Sequence, residues 1–264
     1  MIKNTLLKLY QEHQGKVSDK WFLYLREYER ILENFRSKQI SLLEIGVQNG
    51  GSLEIWAKYF EKGEKFIGVD IEESCGELQF NDHRISIVIG DANQDVTFHK
   101  VIEKSEKFEI IIDDGSHKTS DIIRSFSRYF PLLKSGGVYV IEDLHASYWR
   151  DFEGSLHYPY TAMAFFKRLA DIINYEHWRL NKPRLYYLEP FVQKYNLQID
   201  EHDLFGIHSI EFVNSLCVIK KTTPDQNSIG IRVVAGQEER VTNFLDKLKG
   251  SSIWRLYFCT NGSR

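Results

Sequence analysis

The sequence predicts an α/β fold, a largely parallel sheet with helices on both faces. Three observations carry that expectation. From Ser41 to Leu144 short apolar runs alternate with amphipathic ones, the order that builds parallel strands joined by crossover helices. The first run enters a glycine turn, Leu42-Leu43-Glu44-Ile45-Gly46-Val47-Gln48-Asn49-Gly50-Gly51-Ser52, where glycines let the backbone bend tightly and approach a ligand. The following runs end in acids, at Asp70, Asp91 and Asp113-Asp114, and such sheets bind ligands at the carboxyl ends of their strands.

Taken in order, residues 1–40 read as an N-terminal helical segment with a polar break at Gln14-Gly15-Lys16. Trp21, Tyr24, Tyr28 and Ile31 recur at helical spacing, so one face should pack on the sheet; Tyr24 or Tyr28 is also placed to cover a bound cofactor. Leu42 to Val47 reads as the first strand, and Ser52 as the cap of a helix through Ile55, Trp56, Tyr59 and Phe60. Lys65 to Asp70, Ile85 to Ile89 and Phe108 to Asp113 follow as strands. A helix is expected from Ser120 to Leu133 with Ile122, Ile123, Phe126, Tyr129 and Phe130 inward, then a fifth strand from Gly137 to Ile141. A long aromatic insert, 144–205, comes next, with a helix expected from Tyr158 to Ile173. Ile207 to Val213 and Leu216 to Lys220 form two strands around Asn214-Ser215. The expected organisation is therefore a domain over 41–220 followed by an extension, 221–264. In the extension Ile229 to Val234 suggests a strand and Val241 to Leu248 a helix, with no assigned chemistry.

Composition narrows the partners. The chain has 264 residues and a formal net charge of −3, so it offers no basic field for nucleic acid. Three cysteines, Cys75, Cys217 and Cys259, form no metal-type pair and suit a reducing cytoplasm. Met1-Ile2-Lys3-Asn4 lacks the apolar core of a signal peptide, and no run is long enough to span a membrane. The many aromatics of the insert lead us to expect a homo-oligomer.

The acids define a ligand. Asp70 follows Gly50 by 20 residues, close to the spacing at which a carboxylate meets a nucleoside ribose. Asp91, in Gly90-Asp91-Ala92-Asn93, is placed to read an adenine amino group. With no glycine at position 48, a dinucleotide is less favoured than a single nucleoside. Here the chain resembles the class I S-adenosylmethionine-dependent methyltransferases: Glu44-x-Gly46-x-x-x-Gly50 looks like their first motif, Asp70 their second and Asp91 their third. The resemblance covers roughly residues 40–220. It implies a Rossmann-like seven-stranded sheet, mostly parallel with the last strand antiparallel. It also implies S-adenosylmethionine as cofactor, held by Glu44, Gly46, Gly50, Ser52, Asp70, Ile71, Asp91, Ala92 and Asp113.

A second constellation sits on the next two strand ends. Ile112-Asp113-Asp114-Gly115-Ser116-His117 and Ile141-Glu142-Asp143-Leu144-His145 would be neighbours in such a sheet. Bare carboxylates held together repel, and a hard divalent cation relieves this, oxygen ligation favouring magnesium. An imidazole at His117 can take a proton from a hydroxyl; His145 reads as structural. The set resembles the magnesium-dependent sugar O-methyltransferases of macrolide antibiotic pathways, and the cephalosporin-pathway proteins of the same fold are similar. That resemblance implies Asp114, Glu142 and Asp143 as Mg2+ ligands, His117 as general base, and a small-molecule or glycan acceptor. Two other readings stay open: a catechol-type O-methyltransferase, and a non-catalytic S-adenosylmethionine-binding partner protein.

Overall fold

The computed structural model describes residues 5–238, 240–241 and 245–251. Seven strands, β1 (Ser41–Ile45), β2 (Lys65–Asp70), β3 (Ile85–Ile89), β4 (Phe108–Asp113), β5 (Leu133–Ile141), β6 (Ile207–Val213) and β7 (Leu216–Lys221), join in the order β3-β2-β1-β4-β5-β7-β6. Strands β1 to β5 pair in parallel, and β7 runs antiparallel to both β5 and β6. Strand β1 is buried along its whole length, as a strand covered on both faces must be. The side chains of each central strand alternate between two cores. Leu42, Ile110, Ile112, Val138 and Val140 face one side; Leu43, Ile45, Ile111, Tyr139 and Ile141 face the other.

Helices α1 (Leu6–Gln11), α2 (Phe22–Leu32) and α3 (Gly51–Tyr59) cover the first face. The N-terminal helices share that core with the sheet: Tyr28 meets Trp56 edge-on at 5.1 Å. Of the predicted helical face, Tyr24, Tyr28 and Ile31 are buried, but Trp21 precedes the helix and is exposed. Helices α4 (Asp95–Lys104), α5 (Thr119–Tyr129), α6 (Ala162–Ile173) and α7 (Leu185–Tyr195) cover the second face, and the short α8 (Glu201–Phe205) leads into β6.

Several elements differ from expectation. Ser52 does not cap α3: Gly50, at φ 81°, is the cap residue, and the Ser52 hydroxyl donates to Glu44 instead. Helix α5 ends at Tyr129 because Pro131 lacks an N–H, and a 3-10 turn carries Phe130–Leu132. Strand β5 consequently begins at Leu133. Helix α6 begins only at Ala162, since Pro159 disfavours helical backbone at Tyr158, and Thr161 caps it by accepting from the Ala164 N–H at 3.1 Å. Residues 229–234 form no strand; among the described residues their backbone-to-backbone bonds are those of Arg232 with Gly250 and Ser251. Of the helix expected over 241–248, residues 242–244 lie outside the described residues, and Asp246–Leu248 is a 3-10 turn.

Beyond the strands the backbone pairing continues: the Gly46 N–H donates to Val69 O at 2.8 Å, Asp114 N–H to Ile45 O at 2.9 Å, and Glu142 N–H to Asp113 O at 2.9 Å. These bonds lock the loops after β1, β4 and β5 side by side. Gly46 is the tightest point, at φ +95° with the Asp114 carbonyl oxygen only 2.0 Å from where a Cβ would stand. We predict that Gly46→Ala destabilises the protein by about 2 kcal/mol or more, from backbone strain plus overpacking. Urea denaturation checks this, and an unchanged midpoint would contradict it.

Candidate active site

A cavity of about 440 Å³ opens at the carboxyl ends of β1, β2, β3 and β4, within the range of small-ligand sites. Of the residues expected to hold a cofactor, Gly46, Ser52, Asp70, Ile71, Asp91, Ala92 and Asp113 line it; Asp114, His117 and Asp143 form one end of the same space. Glu44 and Gly50 do not line it. Glu44 is fully buried, accepting from the Ser52 hydroxyl at 2.7 Å and the Trp56 indole at 3.2 Å. It ties α3 to β1, and Gly50 supplies the turn between them.

Asp70 organises the glycine loop. Its Oδ2 accepts from Val47 N–H at 2.7 Å and Gln48 N–H at 3.0 Å, and its Oδ1 from Glu72 N–H at 2.9 Å. Burial opposes its charge, but these three bonds outweigh burial and hold its pKa below the ordinary carboxylate value. Asp91 Oδ1 likewise accepts from Asn93 N–H at 2.8 Å. The cavity wall therefore presents carboxylates held in fixed positions.

At the other end the acids converge. Register pairs Asp113 with Ile141, so Asp113-Asp114 and Glu142-Asp143 leave the sheet together. Asp114, His117 and Asp143 each offer a ligand atom, all within 4.8 Å of one another. His117 Nε2 lies 3.9 Å from Asp114 Oδ1 and 3.7 Å from Asp143 Oδ2. His117 and Asp143 both have left-handed backbone, at φ 56° and 51°, a conformation that costs of order 1 kcal/mol for such residues. The cost falls on the two residues whose side chains must meet.

Glu142 turns inward, only 2% exposed. Its Oε1 accepts from the Tyr28 hydroxyl at 2.6 Å and pairs with Lys20 Nζ at 2.8 Å. The same ammonium contacts Asp114 Oδ2. Burial raises Glu142 to about 8, partly offset by Lys20; Lys20, although buried, is pushed well above its ordinary value by Glu142 and Asp114. Asp143 Oδ1 accepts from the Tyr24 hydroxyl at 2.7 Å. Tyr24 and Tyr28 thus serve the acids and do not line the cavity. His145 contacts the Ser215 hydroxyl through Nδ1 and stacks edge-on against Trp149 at 4.6 Å.

Sequence reasoning missed Lys20. Nothing in its local pattern separates it from the surface lysines around it; only the fold brings it 94 residues along the chain to Asp114. Phe152, one of the aromatics of the insert, has its ring centre 6.4 Å from that of His117 and 6.0 Å from that of Trp149. The aromatics of the insert divide: Trp149 packs against His145 and Phe152 stands beside His117, whereas Tyr160 packs on Phe191 and Trp178 on Tyr187.

A protein-family model described as a methyltransferase domain matches residues 43–144. The matched stretch is about two fifths of the chain. It spans β1 to the end of β5 and carries every acid described above. Over 164 residues the chain is 35% identical to an 8-demethyl-8-alpha-L-rhamnosyl tetracenomycin-C 2'-O-methyltransferase of Streptomyces olivaceus, covering 58% of this chain and 42% of that protein. It is 32% identical to a mycinamicin VI 2''-O-methyltransferase of Micromonospora griseorubida, covering 59% and 40%. The chain therefore spans about two fifths of the length of these curated relatives. The solved methyltransferase of the mycinamycin biosynthetic pathway, in complex with magnesium, S-adenosylhomocysteine and mycinamycin VI, superposes with a TM-score of 0.67 at 25% identity. That match covers 86% of this chain and 57% of that one. The chain resembles the macrolide-sugar O-methyltransferases. Among the described residues no helix is long and apolar enough to cross a membrane.

Asp113 gives the fold a pH signature. Burial pushes its carboxyl up to about 7 from an ordinary 3.8, with a Tyr139 hydroxyl at 3.3 Å only partly countering. A raised folded-state pKa stabilises the protein fully below pH 4 and loses that contribution as pH rises through 7. We predict that the stability of the wild type relative to Asp113→Asn falls between pH 5 and pH 8, by about 1 kcal/mol or more. Parallel urea profiles across that range would contradict the assignment.

Proposed function

We propose that this chain is a magnesium- and S-adenosylmethionine-dependent O-methyltransferase whose acceptor is a sugar hydroxyl on a natural product or glycan. The observation that carries the reading is the joining of two spaces: a nucleoside-sized cavity floored by Asp70 and Asp91, and an acid-and-imidazole group at its far end. The relatives with sugar-bearing substrates support the acceptor class.

The residues fit the groups they would hold. The glycine loop, Asp70, Ile71, Asp91 and Ala92 would take the nucleoside, and Asp113 the neighbourhood of the methionine tail. Asp114 and Asp143 supply hard oxygen donors suited to magnesium, with Glu142 beside them. Bound there, magnesium would act as a Lewis acid toward an acceptor hydroxyl and lower its pKa. His117 Nε2 faces the same point and is the general base. It is placed to take the hydroxyl proton. Bound in the cavity, S-adenosylmethionine would supply the methyl group, so that transfer would give a methyl ether, leave the sulfonium's electrons on sulfur as a thioether, and leave the proton on His117. Phe152 and Trp149, beside His117, offer apolar faces on which a sugar ring can rest. On the sparse, unpaired cysteines of the sequence we place the protein in the cytoplasm.

His117→Ala should bind S-adenosylhomocysteine within about twofold of wild type and lose 10²–10⁴-fold in methyl transfer, the usual contribution of a general base. Calorimetry reads the first, and turnover on deoxysugar-bearing polyketides reads the second. Full turnover by the variant would remove His117 as base; wild-type transfer to catechols alone would overturn the acceptor class.

A further inference from the structure

Lys20 has no part in the chemistry above, yet it occupies the inner edge of the acid group. Its side chain is 3% exposed, its Nζ lies 2.8 Å from Glu142 Oε1, and it contacts Asp114 Oδ2. An ammonium so placed does for Asp114 and Glu142 what a bound cation would do: it compensates charge where water cannot. The two cations are therefore alternatives. They carry the same sign, they need the same carboxylates, and the low-dielectric setting strengthens their repulsion.

Lys20 also reaches the site on a particular piece of chain. Residues 12–21 form a non-helical strap between α1 and α2, and Val17, Ser18, Asp19 and Lys20 line the cavity wall. The strap is tied down along its length: His13 lies 3.4 Å from Glu54, the Ser18 hydroxyl bonds that of Tyr10 at 3.1 Å, and two lysines anchor it more firmly. At one end Lys16 donates to Glu54 through its N–H at 3.0 Å and its Nζ at 3.1 Å, with Gly51 so close that a Cβ would meet Lys16 O at 2.1 Å. At the other end the pin is Lys20 itself. Just past it, Trp21 and Phe22 are exposed beside the site.

We propose that Lys20 is a tethered cation that competes with the divalent ion for Asp114 and Glu142, so that ion loading expels its ammonium and loosens the strap over the cavity. This rests on the metal-site reading above and adds to it a residue that sets the affinity of the ion and couples it to access. Without the ion, Lys20 offsets part of the charge of Asp114 and Glu142 and holds the strap closed. With it, the Lys20 pin is gone and the strap keeps only the ties made by His13, Lys16 and Ser18.

The test is magnesium titration by calorimetry on protein saturated with S-adenosylhomocysteine, comparing wild type, Lys20→Met and Asp143→Asn. Alongside it, hydrogen exchange of residues 13–20 is measured in wild type with magnesium and with chelator. We expect Lys20→Met to bind magnesium at least tenfold more tightly than wild type, and exchange in the wild-type strap to quicken severalfold on loading. Should Lys20→Met not fold, the wild-type exchange measurement decides alone. Equal affinities with magnesium-independent strap exchange would overturn the proposal; if Asp143→Asn then still lost magnesium, the metal site would stand without it. No magnesium binding by either wild type or Lys20→Met would overturn both.

Discussion

Crowding of negative charge at one end of the sheet is the constraint on which the rest of the site depends. Register places Asp113 opposite Ile141, and one more residue on each strand brings Asp114 beside Glu142 and Asp143. Four carboxylates in so small a space would drive the loops apart unless each were compensated. The structure compensates each differently. Asp113 is buried and inclined to hold a proton, Glu142 takes an ammonium and a phenol, Asp114 shares that ammonium, and Asp143 takes a second phenol and faces His117. Removing one partner of a buried pair of this kind typically costs about 3–5 kcal/mol, so the acids are retained at a real cost to stability. Chemistry is the economical reason for keeping them.

The N-terminal helices take their meaning from this arrangement. Helix α2 packs on the sheet through an ordinary apolar face, but Tyr24 and Tyr28 extend past that face to the acids, and the strap before it delivers Lys20. The segment is thus part of the site's electrostatics as well as its cover. At the cavity's other end, Asp70 is held chiefly by the backbone amides of Val47, Gln48 and Glu72.

Much of this was legible in the sequence. The strand-ending acids, the glycine loop and the alternation of apolar runs are local features, and each strand from β1 to β4 lies within a residue or two of where its pattern puts it. The adjacency of β4 and β5 followed from the family's sheet order. Glu44 and Lys20 were not legible. A carboxylate in a glycine motif looks the same whether it meets a ligand or, as Glu44 does, Ser52 and Trp56. Lys20 pairs with residues 94 and 122 positions away, a separation at which no periodicity or spacing rule operates. Element ends were misplaced where proline chemistry decided them, at Pro131 and Pro159.

The central claim is that the acid group is a cation site joined to a nucleoside site. Crystals soaked with manganese and S-adenosylhomocysteine test it most directly, because manganese scatters anomalously and replaces magnesium at oxygen ligands. The account predicts one anomalous peak in contact with Asp114 and Asp143, and nucleoside density reaching Asp70 through the same cavity. An anomalous map empty at the acids, with the nucleoside bound as described, would contradict it.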